Sequence, residues 1–227
     1  MILRVRGILF DMDGVLVSSL GSVERSWKTW AEARGIDPAL AIRTAHGRRA
    51  IETVRLLRPD LNDAEELKWI EDMEVEDNEG LEILHGVKPI LESLPEKYWT
   101  VVTSATDRLA RARMMYGGIP VPARMITADV VSKGKPDPEP YRRGAELLGL
   151  AAKDCVVVED SASGAKAGHA AGCKVLATLF SHSLESLAAA DWIVRSLEEV
   201  SVRVVEDQVE LQFEPVGREA VAAATTH

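Results

Sequence analysis

The chain has 227 residues, 36 acidic against 27 basic side chains and a formal net charge of −9 at pH 7, with 46% hydrophobic and 28% charged residues. That is the make-up of a globular protein long enough to bury a substantial core, and the negative balance argues against nucleic acid as a partner. No apolar run approaches the length of a membrane span and the N-terminus lacks the apolar stretch of a signal peptide, so a cytoplasmic protein that does not engage membranes is expected.

Along the chain, Ile8-Leu9-Phe10 is an apolar run, opened by Val5 and interrupted by Arg6 and Gly7, that stops at Asp11-Met12-Asp13-Gly14. Its length and its turn-forming end read as a buried strand. Ser18 to about Arg34 is helical, with Val23, Trp27, Trp30 and Ala31 on one stripe, and Gly35 closes it. Pro38 starts the next piece, and Thr44-Ala45-His46-Gly47-Arg48-Arg49 leads as a loop into a helix that ends before Pro59. From Asp63 to Glu82 an acidic stretch keeps Leu67, Ile70 and Met73 at helical spacing and reads as a solvated helix face.

Beyond residue 85 the pattern changes. A helix from Lys88 to Leu94 leads to a strand at Trp99–Ser104, then a helix from Asp107 to Tyr116 and a short strand-and-loop piece from Ile126. Pro138 to Leu148 is helical, and Cys155–Val158 is an apolar strand ended by Glu159-Asp160. A small-residue helix over Ala162–Ala171 and strands at Lys174–Leu179 and Trp192–Val194 complete the series. Strands alternating with helices predict an α/β fold, a Rossmann-like parallel sheet with helices on both faces. The purely helical stretch 17–85 interrupts the alternation directly after the first strand and reads as an inserted helical cap domain, leaving 1–16 and 86–227 as the core. Val202–Phe213 alternates around Glu206-Asp207 as an extra hairpin, and residues from Gly217 onward look frayed. Cys155 and Cys173 read as reduced packing residues.

Two carboxylates one residue apart at the end of a buried strand lie where ligands bind in open parallel sheets. Left uncompensated, Asp11 and Asp13 raise each other's pKa; a cation relieves both, so the pair reads as a magnesium site with one carboxylate left for chemistry. Gly14 lets the backbone come close and turn its N–H groups towards an anion. Taken alone, the same four residues are equally a plain turn after a strand, and three later stretches decide between the readings. Thr103-Ser104 brings a hydroxyl and N–H groups to the same sheet edge, although a hydroxyl there also suits a helix cap. Lys135 precedes a proline-rigidified helix start, where an anion is favoured. Glu159-Asp160 faces the Asp11 pair, and Gly164 and Gly168 allow the next helix to pack closely. Together these are the parts of a magnesium-assisted phosphoryl transfer. The residues alone do not say which of Asp11 and Asp13 is the nucleophile.

In this order and spacing, D-M-D-G-V, T-S, K-P-D-P and E-D-S resemble the motifs of the haloacid dehalogenase superfamily, and more narrowly its phosphatases with a helical cap inserted after the first strand. Val23-Glu24-Arg25-Ser26-Trp27, Ala45-His46-Gly47-Arg48-Arg49 and Val102-Thr103-Ser104-Ala105 are most similar to the glycerol-phosphate and 2-deoxyglucose-6-phosphate phosphatases. The resemblance reaches about Leu197, and the tail beyond Ser201 has no counterpart in it. It implies that Asp11 is the nucleophile that forms an aspartyl-phosphate. Asp13 is then the general acid for the leaving alkoxide and the base for the hydrolytic water. Mg²⁺ is implied on the Asp11 carboxylate, the Asp13 backbone carbonyl and Asp160, with Glu159 a second acidic contact, often through water. Thr103 and Lys135 are implied to hold phosphoryl oxygens, with Ser104 and the backbone of Met12–Gly14 supplying N–H groups.

The same resemblance puts the leaving group at the cap's loop-to-helix junction, where His46, Arg48 and Arg49 cluster beside Gly47. Two arginines on a helix are often plain surface residues, but donors at that junction suit the hydroxyls of a small polyol or sugar phosphate. The expected partner is such a phosphate ester, and the expected state a monomer or weak homodimer. A sugar phosphomutase of the β-phosphoglucomutase type is the alternative. Such mutases resemble this chain in the core but carry T-D-T and an early cap histidine, where this chain has Val17-Ser18-Ser19 and Ser22-Val23-Glu24. A non-catalytic scaffold is disfavoured because no motif residue is lost.

Overall fold

The computed structural model describes residues 1–217, so most of the stretch expected to fray lies outside the described residues. Alternation of strand and helix resolves in chain order into β1 (Ile2–Val5), β2 (Gly7–Phe10), β3 (Val17–Ser18), α1 (Leu20–Arg34), α2 (Pro38–Ala45), α3 (Ala50–Leu57) and α4 (Asp63–Glu76). Then come β4 (Glu82–Ile83), α5 (Val87–Ser93), β5 (Trp99–Val101), α6 (Asp107–Gly117), α7 (Glu139–Leu147), β6 (Cys155–Glu159) and α8 (Ala162–Ala171). The chain continues through β7 (Lys174–Thr178), β8 (Trp192–Val194), β9 (Ser201–Val205) and β10 (Gln208–Gln212). Five of these strands form one parallel sheet in the order β5-β2-β6-β7-β8. β2 and β6 lie inside that order, and every residue of both is buried, which is why each reads as a continuous apolar run without alternation. Helices pack both faces, giving the α/β fold expected from the alternation.

The N-terminus departs from expectation. Ile2–Val5 does not extend the first core strand. It is a separate edge strand that alternates exposed and buried residues, and pairs antiparallel with β10 in register Ile2↔Gln212 to Val5↔Val209. The expected tail hairpin therefore belongs to a three-stranded sheet, β1-β10-β9. Leu3, Val5, Val209, Leu211 and Phe213 bury their side chains in the same cluster as Phe10 and Trp99. Its two-residue turn places Glu206 and Asp207 at φ 47° and 63°, a conformation that suits the twist of the flanking strands. Asp207 is further held by Tyr98 Oη at 2.6 Å and Lys97 Nζ at 2.9 Å.

The inserted helices α1–α4 leave and re-enter the core through a narrow neck, the two-residue antiparallel pair β3–β4. They have an apolar cluster of their own, built from Trp27, Trp30, Ala31, Ala41, Ala45, Val54 and Ile70. Trp27 and Trp30 meet edge to face at 5.3 Å. Here a second correction applies. The acidic stretch is not a uniformly solvated face: α4 stops at Glu76, and Glu66 and Glu74 are buried. Glu66 accepts from Trp30 Nε1 at 2.6 Å and from Arg34 Nη2 at 2.8 Å, so the acidic helix is pinned to α1 by a buried charge with its hydrogen bonds filled. Both cysteines are free and buried, as expected. Among the described residues, no helix is long and apolar enough to cross a membrane.

Candidate active site

The carboxyl ends of β2 and β6 are neighbours in the sheet, so Asp11 and the pair Glu159-Asp160 converge. Asp11 leaves the strand with its N–H still donated to Val158 O at 2.9 Å. The chain then turns tightly: Gly14, Leu16 and Val17 donate N–H groups to Val17, Met12 and Met12 carbonyls respectively. Gly14 sits at φ 83°, and a Cβ there would lie 2.0 Å from Asp160 Oδ2. Only glycine admits both the backbone angle and the approach of the second acidic strand. Its N–H is spent on Val17 O at 2.8 Å, so it is not the free anion donor expected of it. Met12 points its side chain into the core.

Lys135 lies buried between the two strand ends. Its Nζ is 2.8 Å from Asp11 Oδ1 and 2.7 Å from Glu159 Oε1. Glu159 is saturated: Oε1 also accepts from Tyr141 Oη at 2.6 Å, while Oε2 takes the N–H groups of Asp160 and Ser161 and the Ser161 hydroxyl at 2.9–3.0 Å. Asp160 accepts from Ser181 Oγ, which in turn contacts His182 Nδ1 at 2.6 Å. Asp11, Glu159 and Asp160 each bring a carboxylate oxygen within 4.8 Å of the others, a grouping that fits a metal ion. Hard carboxylate donors of this kind suit Mg²⁺. Because Glu159 already has five donors, Asp11 and Asp160 are the side chains with oxygens left to give. Gly164 makes room for this arrangement, since a Cβ there would stand 1.6 Å from Glu159 Oε1.

Three carboxylates face one ammonium, and the electrostatics follow. Burial, then the Glu159 charge, pushes Asp11 well above the usual carboxylate range against the pull of Lys135. The same two causes push Asp160 up to about 7. Burial also works against ionised Glu159, but Lys135 and the hydrogen bonds outweigh it and hold its carboxyl low. Lys135 is raised despite burial, because Asp11 and Glu159 both favour its charge. The site is short of positive charge, which a divalent cation supplies.

Above this cluster a cavity of about 450 Å³ opens between the core and the inserted helices, lined by Asp11, Asp13, Thr103, Ser104, Lys135 and Asp160 from below and His46, Arg48 and Arg49 from above. Thr103 is buried and its Oγ1 accepts from Ala105 N at 3.0 Å, so the hydroxyl both caps the turn and faces the cavity. Asp13 lines the same cavity. Its Oδ1 accepts from Ser19 Oγ at 2.6 Å and Arg113 Nη1 at 2.8 Å.

The three residues singled out on the inserted helices separate. His46 and Arg48 are exposed at the cavity, with the His46 ring 5.4 Å from that of His182. Arg49 is instead buried and committed: it donates to Val131 O at 2.8 Å and Ser132 O at 2.9 Å, and pairs with Glu52. Glu52 also accepts from Gly134 N at 3.2 Å, so this pair clamps α3 onto the loop that carries Lys135. Four of the five N–H groups of Arg49 are spent on these partners, which leaves a single one, on Nη1, for anything else. Gly47 approaches the start of α8, where a Cβ would meet Ser163 Oγ at 3.0 Å.

Sequence reasoning missed Tyr141, Ser19, Ser181, Glu74 and Arg113. One signal was present for Arg113, which falls on the stripe of α6 that buries Leu109, Ala110 and Met114, a place where an arginine is out of character.

Comparison with known proteins supplies the family. A family model described as haloacid dehalogenase-like hydrolase matches residues 5–172. Hexitol phosphatase A of Escherichia coli is 39% identical over 88% of this chain and 95% of its own length. Glycerol-1-phosphate phosphohydrolase 2 of Saccharomyces cerevisiae is 32% identical over 93% of this chain and 92% of its own. The crystal structure of a hydrolase from Pseudomonas syringae superposes with a TM-score of 0.76 at 21% identity, covering 85% of this chain and 94% of that one, and so shares the fold. On the strength of that model and of relatives matched over nearly their whole length, the chain belongs to the haloacid dehalogenase-like hydrolases.

Proposed function

We propose that the protein is a Mg²⁺-dependent phosphatase of small polyol or sugar phosphate monoesters, working through an aspartyl-phosphate on Asp11. The observation that carries the reading is the ammonium of Lys135 held between Asp11 and Glu159 under an open cavity. It neutralises an attacking carboxylate and presents a cation to phosphoryl oxygens at one place. The relatives named above act on hexitol and glycerol phosphates, which is the ground for the substrate class.

In this reading Asp11 Oδ attacks phosphorus, and the phosphorus–oxygen bond to the alcohol breaks. Asp13 gives its proton to the leaving alkoxide. Asp13 then takes a proton from water as that water attacks the phosphoryl group, freeing inorganic phosphate and restoring the Asp11 carboxylate. Thr103 Oγ1, the Ser104 N–H and Lys135 Nζ hold the phosphoryl oxygens while charge builds on them. Asp11, Asp160 and the Asp13 carbonyl would hold Mg²⁺, which would supply positive charge against the phosphoryl oxygens. Residues 17–85 act as the cap that excludes bulk water and meets the alcohol, with His46 and Arg48 as the polar contacts. Arg49 acts through seating of that cap.

A panel of polyol and sugar phosphates assayed with Mg²⁺ tests this. Stoichiometric inorganic phosphate is the expected product. An isomerised sugar phosphate without phosphate release would favour the mutase, and neither product would sink the enzyme reading.

A further inference from the structure

Arg113 sits on the buried face of α6 with a side chain only 3% exposed. One of its N–H groups is well used, since Nη1 donates to Asp13 Oδ1 at 2.8 Å. Nε and Nη2 have no hydrogen-bond partner. Nη2 lies 3.7 Å from Glu74 Oε2, close enough for attraction between charges but too far for a hydrogen bond. A buried guanidinium with two unpartnered nitrogens is a poor choice for stability, and an apolar side chain of similar volume would ordinarily serve the fold as well or better. What Arg113 gains is its grip on Asp13. That carboxylate is 32% exposed and hangs from a tight turn, with the hydroxyl of Ser19 as its other partner.

The three groups come from different parts of the molecule. Arg113 belongs to the core helix that follows β5, Ser19 precedes α1 at the exit of the neck, and Glu74 is on α4 of the inserted helices. We propose that Arg113 is a positioning residue for Asp13, aiming its carboxylate at the leaving-group oxygen, and that Glu74 makes this aim depend on seating of the inserted helices against the core. The inference rests on the phosphatase reading of Asp13. With Glu74 seated, the guanidinium is drawn from two sides and Nη1 is held towards Asp13. Without that second charge the arginine side chain is free to follow the Asp13 carboxylate into other rotamers.

The test uses the intact chain with Mg²⁺ and four variants: Arg113→Met, Arg113→Lys, Glu74→Gln and the double variant Arg113→Met with Glu74→Gln. Glycerol 1-phosphate has an alkoxide leaving group that needs a proton, whereas the p-nitrophenolate released from p-nitrophenyl phosphate does not. Arg113→Met should lower kcat on glycerol 1-phosphate by about 100-fold, at the low end of what a general acid contributes, with KM little changed. Its first turnover of p-nitrophenyl phosphate should keep the parental rate. Arg113→Lys should recover part of kcat. Glu74→Gln should lower kcat by about 5-fold in the parent and not at all beside Arg113→Met, the non-additivity expected of groups acting through one another. The double variant should melt no lower than the parent.

Parental kcat on glycerol 1-phosphate in Arg113→Met overturns the proposal. So does an equal loss in the first turnover of both esters, which is what a merely structural arginine would produce. Should Arg113→Met fail to fold, unchanged kcat in both Arg113→Lys and Glu74→Gln overturns it as well. If the parent hydrolyses neither ester, the phosphatase reading itself falls, and this inference with it.

Discussion

The strand-edge cluster and the seam between core and inserted helices both bury charge, but they satisfy it differently. At the strand edge, Glu159 accepts five hydrogen bonds and Lys135 bridges two carboxylates, so position is overdetermined and the shortage is one of positive charge. At the seam, Arg49 spends four of its five N–H groups, while two nitrogens of Arg113 have no partner and Glu74, which burial pushes up to about 7, faces it across 3.7 Å. A rigid, charge-hungry floor under a seam in which one buried guanidinium stays under-bonded is what a site needs if it must bind a cation tightly and still admit a substrate.

The largest effect expected from breaking that contrast is at Lys135. Lys135→Met leaves Asp11 and Glu159 buried without their shared counter-charge, which should cost about 3–5 kcal/mol of stability, read by denaturant unfolding without metal. Chelation comes next. Removing divalent ions should stop turnover, and Mg²⁺ at about 100 times its Kd should add roughly 2.7 kcal/mol of stability. Ca²⁺ should restore activity poorly, since its longer bonds and higher coordination number misplace the nucleophile.

The pH dependence of that binding follows from the raised carboxyls. Asp160, pushed up to about 7, holds its proton in the metal-free fold through a range where the unfolded chain has lost it. The metal-free protein therefore loses stability as pH rises from the ordinary carboxylate value to about 7. Mg²⁺ must displace the proton, so its affinity should weaken as pH falls through the same window, and calorimetry in buffers of different ionisation enthalpy should show proton release. Affinity independent of pH between 5 and 8 would contradict the cluster as the metal site.

Two smaller changes sharpen the comparison. Gly164→Ala drives a methyl into Glu159 and should cost about 1–3 kcal/mol or more, with loss of Mg²⁺ binding, because the floor has no slack. At the seam, Arg49→Ala should lower Tm and raise KM together, whereas Arg48→Ala should raise KM for a polyol phosphate by about 10-fold at unchanged Tm, the worth of one hydrogen bond to a charged group. Equal melting behaviour of these two variants would erase the distinction drawn between clamp and contact.

What was legible in the sequence was whatever the local pattern dictates. The apolar runs that stop at Asp11 and Glu159 are strands because nothing in them tolerates water, and the small-residue helix Ala162–Ala171 ends where Gly172 adopts its left-handed turn. The long-range pairings were not legible. Ile2–Val5 is four residues long and flanked by arginine, and only the arrival of β10, more than 200 residues later, makes it a strand. The facing of α4 and α6 was hidden for a similar reason. Helical spacing gives a stripe but not the neighbour it meets, so Glu66, Glu74 and Arg113 looked like surface charge until the helices were packed. His46, Arg48 and Arg49 looked alike in sequence, and only the carbonyls of Val131 and Ser132 set Arg49 apart.

The central claim is that Asp11 takes the phosphoryl group from the ester. Rapid acid quench during turnover of a polyol phosphate with Mg²⁺, followed by mass spectrometry of the peptide that spans Gly7–Val17, tests it directly. Phosphoryl on Asp11 in the parent is expected, with none in Asp11→Asn and turnover lowered by at least about 10⁴-fold in that folded variant. Phosphate release by pure Asp11→Asn protein at the parental rate, or a phosphoryl group trapped on another residue, would contradict the account.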